Sequence, residues 1–111
     1  MWNRLAPVAA LLCCFGAGAT APALASDNDL MIRGKALFTD EAVPACAICH
    51  TLADAGTEGA IGPDLDELKP TKDVVLKVLK EGMGVMPSFA ETLSPEDMEA
   101  LATYVDEATG Q

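Results

Sequence analysis

The stretch VPACAICHTLADAG, residues 43–56, contains the pentapeptide CAICH at residues 46–50. This pentapeptide is the strongest indication of the fold and chemistry of the chain. Two cysteines stand three positions apart, and a histidine follows the second directly. Three kinds of site use cysteines at this spacing: a dithiol redox switch, a zinc site and a covalent haem anchor. The rest of the sequence has to distinguish between them.

The first 25 residues predict a secretory signal peptide. Arg4 gives a positive start, residues 5–20 form an apolar run too short to cross a bilayer, and Ala23-Leu24-Ala25 is a small-residue cleavage site. Cleavage before Ser26 would leave residues 26–111 as one mature domain of 86 residues, located in the periplasm. No membrane anchor is expected after cleavage.

The composition of the mature chain predicts an acidic protein with a thin core. It contains six basic and seventeen acidic residues, which gives a net charge of −11. Such a surface repels nucleic acid and anionic membranes, and it favours a partner with a positive docking face. The mature chain has three aromatic side chains, Phe38, Phe89 and Tyr104. We therefore expect a further component to fill the interior.

Helical patterns alternate with loops, and no stretch shows the alternation of a strand. The mature domain is therefore predicted to be all-α. Three helices are predicted: Leu30–Phe38 with Asp27 or Asn28 as the N-cap, Thr71–Glu81 ended by Gly82, and a third that starts at the cap Ser94 with Pro95 in its first turn.

The predicted loops are as informative as the helices. Residues 39–70 form a glycine- and proline-rich loop whose length is uncommon in a compact domain unless it wraps around something. Residues 82–92 form a second loop. Gly34 lies inside the first predicted helix, where glycine costs about 1 kcal/mol relative to alanine. Such a glycine indicates that another element approaches closely.

The haem anchor is the interpretation that uses every residue of the pentapeptide. A thioredoxin-like switch needs a βαβ pattern, which is missing from the sequence, and a closed zinc site needs four ligands where two cysteines and one histidine remain. In a haem anchor the thiols of Cys46 and Cys49 add to the two vinyl groups, and His50 then lies beneath the iron as a ligand. The sequence therefore predicts one covalently bound haem c.

Two methionines are candidates for the sixth iron ligand. Met83 and Met86 lie in the second loop, whereas Met31 and Met98 fall in helices where core packing explains them better. Met86 is favoured because Pro87 biases it to an extended backbone, although Met83 could ligate instead. An open sixth position, suited to gas binding or catalysis, is the alternative to an electron carrier.

The stretch GPDL, residues 62–65, offers a support for the histidine. A ligating histidine commonly donates its second ring N–H to a carbonyl. The carbonyl of Pro63 is a candidate acceptor, because proline fixes the loop that presents it. An ordinary turn explains the same residues equally well.

The chain resembles the small single-haem cytochromes c with His/Met ligation. The CxxCH motif at residues 46–50, the GPxL motif at residues 62–65 and the dipeptide Met86-Pro87 follow each other in the order of that family. The resemblance implies three to four helices wrapped around haem c. It also implies that Pro63 and Leu65 contact the haem, and that His50 and Met86 bind the iron.

The resemblance also explains the glycine inside the first helix. In that family a glycine and an aromatic residue of the first helix cross a leucine and an aromatic residue of the last. Gly34 and Phe38 match the first pair, and Leu101 and Tyr104 match the second. A direct contact between the two helix backbones is therefore expected.

The implied function is electron transfer through an exposed haem edge rather than enzymatic catalysis. An apolar contact patch is expected at residues 43–48 with Met83 and Val85, and the acids Asp40, Glu41, Asp54 and Glu58 would steer a basic partner. The runs ACAICHTLADAG, GPDLDELKP and GVMP resemble the cytochrome subunits or acceptors of periplasmic molybdenum-dependent sulfite dehydrogenases. This finer resemblance implies such an enzyme as electron donor, and a terminal oxidase or another cytochrome as acceptor.

Overall fold

The structure is a computed structural model that describes residues 16–110. Residues 1–15, which hold most of the predicted signal peptide, and Gln111 lie outside the described residues. Residues 16–25 are exposed and have no regular secondary structure. Among the described residues, no helix is long and apolar enough to cross a membrane.

The described part of the chain is all-α, which confirms the predicted fold class. It has four α-helices: α1 (Asp27–Ala36), α2 (Leu65–Leu68), α3 (Lys72–Glu81) and α4 (Pro95–Ala108). A π-helical turn, Leu37–Glu41, continues α1, and two 3₁₀ turns follow at Cys46–Ile48 and Ala53–Ala55. Residues 16–110 form no strand, only isolated bridges.

Helix α1 begins earlier than predicted, and the expected N-cap is wrong. The hydroxyl of Ser26 accepts a hydrogen bond from the Asp29 N–H at 3.2 Å, and the Asp29 carboxylate accepts one from the Ser26 N–H at 3.2 Å. This reciprocal pair satisfies the first free amides of the helix, so Ser26 caps it rather than Asp27 or Asn28. At the other end, the π turn places Phe38 outside the regular α-helix.

The long central loop contains a short α-helix, α2, that was not predicted. Asp64 is the N-cap of α2, and its Oδ1 accepts hydrogen bonds from the N–H groups of Asp66 at 2.9 Å and Glu67 at 3.4 Å. The helix ends at Lys69, which adopts a left-handed backbone with φ of 47°. A helix of four residues is too short to show a periodic apolar pattern, so periodicity could not reveal it.

Helices α3 and α4 lie where they were predicted. Gly82 ends α3 with a positive φ of 73°, and the hydroxyl of Ser94 caps α4 by accepting from the Asp97 N–H at 3.1 Å. The side chain of Thr71 makes no capping hydrogen bond at the start of α3. Instead the first amide of α3, at Lys72, donates to the carboxylate of Asp106 on α4 at 2.9 Å.

Helices α1 and α4 pack closely where they cross. Gly34 is buried, and a Cβ atom built on it would overlap the Cβ of Tyr104 and lie 2.9 Å from the carbonyl carbon of Ala100. The rings of Phe38 and Tyr104 meet edge to face with centroids 6.0 Å apart. The guanidinium of Arg33 holds the same crossing from outside through Asp97, at 2.8 and 3.0 Å.

Most of the buried apolar side chains belong to α4 and to the segments packed on it. The largest that are fully buried are Tyr104, Phe38, Leu37, Leu52 and Leu101. Leu65, Leu79 and Phe89 extend this cluster towards the loops. The cluster forms one side of a large cavity, which the loops complete.

Candidate functional site

A cavity of about 660 Å³ opens between the helices and the two long loops. This volume falls in the range of small-molecule and cofactor sites, roughly 300–1,000 Å³. No lysine, arginine, aspartate or glutamate of the described chain lines it. The lining is apolar apart from two cysteines and one histidine: Phe38, Pro44, Ala45, Cys46, Cys49, His50, Ile61, Gly62, Pro63, Leu65, Leu68, Pro70, Val74, Val75, Val78, Leu79, Met83, Val85, Met86, Pro87, Phe89, Leu101 and Val105.

The 3₁₀ turn of the pentapeptide directs both cysteines and the histidine into this cavity. The N–H of Cys49 donates to the Cys46 carbonyl at 3.1 Å, and the N–H of His50 donates to the same carbonyl at 2.9 Å. The chain thus turns tightly between the two thiols, and His50 follows at once. All three side chains line one cavity, as a covalent anchor with an adjacent ligand requires.

Cys46 does not have the character of a redox-active thiol. No disulfide joins Cys46 and Cys49 in the described structure. Burial raises the pKa of the Cys46 thiol to about 11. The attacking cysteine of a dithiol switch has a lowered pKa, since the thiolate is the nucleophile. The environment of Cys46 therefore suits a buried attachment point better than thiol–disulfide exchange.

The imidazole of His50 is oriented by a hydrogen bond from its Nδ1–H to the carbonyl of Pro63, at 2.7 Å. This is the contact that the GPxL motif suggested. Donation through Nδ1 leaves Nε2 with its lone pair, which is the form a metal ligand needs. A Cβ atom on Gly62 would lie 2.5 Å from His50 Cε1 and 2.8 Å from Nδ1, so the ring lies directly against this glycine.

The loop that follows His50 folds back over it. The Gly62 N–H donates to the carbonyl of Cys49 at 2.7 Å, and the hydroxyl of Thr57 donates to the carbonyl of His50 at 3.0 Å. Gly59 is buried against the peptide that joins Cys49 to His50, since a Cβ there would lie 2.5 Å from the His50 nitrogen. These contacts fix the backbone on both sides of the histidine.

Met83 and Met86 flank a tight turn at the edge of the cavity. Their backbones exchange two hydrogen bonds, of 3.0 and 2.9 Å, and Gly84 between them has a positive φ of 56°. Both methionines line the cavity. Met83 is 68% exposed, whereas Met86 is partly buried against the core. Of the two methionines, Met86 is the better enclosed.

Several cavity residues were not singled out by the sequence. Ile61, Leu68, Pro70 and Val74 line the cavity beside the predicted Pro63 and Leu65. Ile61, Leu68 and Val74 are at least half exposed, so they have no burial pattern of their own. The only available signal was their position within or beside the long loop that was expected to wrap around a group.

Asp54 has a role that the sequence did not predict. It was expected to be one of the charges that steer a partner. The structure places its carboxylate 2.7 Å from the hydroxyl of Tyr104, which donates to it, and 3.3 Å from the ammonium of Lys35. The hydrogen bond from Tyr104 lowers the pKa of Asp54. Asp54 therefore ties the turn after His50 to the crossing of α1 and α4.

Comparison with known proteins identifies the family. A family model described as "Cytochrome C oxidase, cbb3-type, subunit III" matches residues 29–105, which include the whole cavity. The chain belongs to this family of c-type cytochromes. The cytochrome is also 34% identical to cytochrome c6 of Microcystis aeruginosa over 64 residues, which cover 54% of the cytochrome and 79% of its relative.

A solved structure agrees in fold. The crystal structure of the c-type cytochrome SorU from Sinorhizobium meliloti matches with a TM-score of 0.72 and 43% sequence identity. The match covers 76% of the present chain and 95% of SorU. The resemblance to small cytochromes c is thereby confirmed.

The cofactor of this family is covalently bound haem c, and the cavity fits it. The apolar lining matches the face of a porphyrin. Two thiols line the cavity together with one imidazole, whose Nδ1 faces the Pro63 carbonyl so that Nε2 is the nitrogen left to bind a metal. The cytochrome is therefore an electron carrier with one haem c.

Proposed function

We propose that the cytochrome is a periplasmic electron carrier in which His50 and Met86 would be the two protein ligands of the haem iron. In this assignment Cys46 and Cys49 form the two thioether bonds, and Pro63 and Leu65 contact the haem. The observation that supports it most directly is that these six side chains line a single apolar cavity.

The haem supplies a one-electron change between Fe(III) and Fe(II). The protein holds the side chains proposed to bind the iron in fixed positions. The hydrogen bond from His50 to Pro63 holds the imidazole, and the turn between Met83 and Met86 holds the thioether. A methionine ligand raises the reduction potential relative to two nitrogen ligands. Little rearrangement is then needed when the electron arrives or leaves.

The choice of Met86 over Met83 rests on enclosure. Met86 is partly buried and packs on the core, while Met83 is mostly exposed at the edge of the cavity. The thioether of a partly buried methionine is held by its neighbours, whereas an exposed one has many accessible rotamers. Met83 is then free to contribute to the outer surface.

A matched pair of variants tests the ligand. In oxidised wild type we expect the sulfur-to-iron charge-transfer band of methionine ligation, and reduced wild type should not bind carbon monoxide. Met83→Ala should retain both properties, whereas Met86→Ala should lose the band and bind carbon monoxide. Loss of the band in Met83→Ala alone would make Met83 the ligand. Rapid carbon monoxide binding by wild type would show an open sixth position.

The electron donor that we propose is a molybdenum-dependent sulfite dehydrogenase. Its support is the sequence likeness of residues 45–56, 62–70 and 84–87 to the cytochromes that serve such enzymes. A terminal oxidase or another cytochrome would accept the electron. Addition of sulfite to a mixture of a purified sulfite dehydrogenase and the oxidised cytochrome should reduce the haem. Failure to reduce it would remove this donor and leave the carrier function intact.

The periplasmic location rests on the predicted signal peptide of residues 1–25. The test is the N-terminus of the protein purified from a host that attaches haem. We expect the chain to begin at Ser26 and to be released with the periplasmic fraction. A protein that retained residues 1–25 in the membrane fraction would contradict this proposal.

A further inference from the structure

The methionine loop, here defined as residues 82–88, leaves the C-terminal end of α3 and returns to the same end. The N–H of Phe89 donates to the carbonyl of Leu79 at 2.7 Å, and the hydroxyl of Ser88 donates to the carbonyl of Lys80 at 2.6 Å. The last carbonyls of a helix have no partner within the helix. Two of them are therefore satisfied by the chain that returns from the loop.

The hydrogen bonds between the two methionines keep the shape of the loop but do not attach it to α3. Met83 and Met86 exchange their backbone hydrogen bonds across the turn. Gly82 packs against the far end of the loop, since a Cβ there would lie 2.9 Å from the Met86 carbonyl oxygen and 2.9 Å from the Ser88 nitrogen. The loop is thus a closed unit, and the residues that follow Met86 fix where that unit lies on the helix.

Ser88 is the first residue after Met86 that fastens the loop to α3. Pro87, which lies between them, has no N–H to donate. The Ser88 hydroxyl makes two hydrogen bonds, because it donates to Lys80 and also accepts from the Ala90 N–H at 3.2 Å. Pro87 and Ser88 are both exposed, so little apolar burial holds this stretch in place. The hydroxyl therefore supplies much of the attachment of the segment that contains Met86.

We propose that Ser88 is a positioning residue for the iron ligand Met86: its hydroxyl holds the methionine loop on α3 and so limits how often the thioether leaves the iron. The proposal rests on the assignment of Met86 made above, and Ser88 itself is not among the residues that line the cavity. An exposed hydrogen bond contributes modestly to stability, because water competes for both partners. Loss of the hydroxyl should therefore favour opening of this loop and leave the rest of the fold intact.

The test measures how tightly imidazole binds to the oxidised, haem-loaded cytochrome. Imidazole takes the sixth position only when the methionine has left it, so the apparent affinity reports the fraction of protein with an open loop. Ser88→Ala should bind imidazole at least about threefold more tightly than wild type. Ser88→Thr keeps the hydroxyl, and its affinity should stay within about twofold of the wild-type value.

Two control variants separate positioning from general stability. Thr92→Ala removes another hydroxyl of the second loop, one that lies 3.5 Å from the Phe89 carbonyl, and should leave imidazole binding unchanged. Gly34→Ala disturbs the crossing of α1 and α4, so it should lower the urea midpoint for loss of helical circular dichroism. Ser88→Ala should show the reverse pattern, with tighter imidazole binding and a urea midpoint close to that of wild type.

Wild-type imidazole affinity in Ser88→Ala would overturn the proposal, and so would equal tightening in Thr92→Ala or in Ser88→Thr. A fall in the urea midpoint of Ser88→Ala as large as that of Gly34→Ala would overturn it as well, because Ser88 would then support the fold in general.

Met86→Ala tests the assignment on which the proposal rests. This variant has no thioether at position 86 to compete for the iron, so it should bind imidazole far more tightly than the other variants. If it binds imidazole no more tightly than wild type, the ligand assignment fails, and that result is distinct from a failure of the role of Ser88.

Discussion

Gly62 lies against the imidazole of His50 so closely that a Cβ atom at residue 62 would stand 2.5 Å from His50 Cε1. The next residue, Pro63, accepts the hydrogen bond from Nδ1 of the same ring at 2.7 Å. One dipeptide thus sets both the plane of the ring and its tautomer. The absence of a side chain at position 62 lets the imidazole lie directly against the backbone there.

The first prediction concerns this glycine. Gly62→Ala should push the ring away from Pro63 and lengthen the hydrogen bond, because the added methyl overlaps the imidazole. We expect shifted haem methyl resonances in the oxidised protein and a lower unfolding midpoint. Ala60→Ser, at an exposed position in the same loop, should change neither. Unaltered haem methyl resonances in Gly62→Ala would contradict this prediction, because they would show that the loop moves to fit the methyl group and the imidazole keeps its position.

The second prediction concerns the crossing of α1 and α4. Alanine is the better helix former by about 1 kcal/mol, yet Gly34→Ala should destabilise the protein by about 2 kcal/mol. The new methyl would overlap the Tyr104 Cβ and the Ala100 carbonyl, so the two helices would have to separate. Urea unfolding of the haem-loaded protein measures the change. Ile32→Ala, exposed on the same helix, serves as the control and should shift the stability by less than about 0.5 kcal/mol.

The third prediction concerns the single tyrosine. Burial, and then the hydrogen bond to Asp54, raise the pKa of Tyr104 above its ordinary value of 10.0. The neutral phenol is therefore favoured by folding. Its contribution to stability is complete below the unfolded pKa and is lost as the pH rises above about 10. Ultraviolet absorbance should show no phenolate near pH 10 in the folded protein and normal titration in denaturant.

Substitution of the partner of Tyr104 gives the complementary result. Asp54→Asn should lower the pKa of Tyr104 towards its ordinary value without restoring it, since burial, the larger cause, remains. The pKa of Asp54 itself is lowered by Tyr104, so this carboxylate stabilises the fold at neutral pH. That contribution disappears as the pH falls below about 4. Phenolate absorbance that titrates at pH 10 in the folded wild type would contradict the hydrogen bond from Tyr104 to Asp54.

The fourth prediction concerns the haem as part of the core. The cavity is about 660 Å³ in a small domain, so the protein without its cofactor lacks much of its interior packing. Cys46→Ala combined with Cys49→Ala should lose helical circular dichroism and cooperative melting. A haem-free double variant that melts sharply with full helical signal would show that the fold does not need the cofactor.

Much of the site could be predicted from the sequence because short motifs with chemical requirements carry it. The pentapeptide, the GPxL stretch and the methionine loop made Cys46, Cys49, His50, Pro63 and Met86 candidates, and the structure places all five along one cavity. The glycine inside the first helix predicted the helix crossing, and the structure shows it. These signals depend on residue type at a fixed spacing, and a single sequence displays them fully.

The parts that could not be predicted depend on long-range contacts or on very short elements. Asp54 resembles any surface acid until Tyr104, fifty positions later, is placed beside it. Ser26 competes with Asp27 and Asn28 for the same cap, and only the backbone conformation decides between them. Ile61 is one apolar residue in a polar loop, and the folded cavity is what gives it a role.

The central claim is that haem attached through Cys46 and Cys49 fills the cavity and forms the interior of the cytochrome. Intact-mass spectrometry of protein expressed in a host that installs haem c tests it most directly. We predict the mass of the processed chain plus one haem. No thiol should react with an alkylating reagent under denaturing conditions, and the peptide that contains residues 46–50 should carry the haem. A colourless protein with two reactive thiols and no added mass would contradict the account.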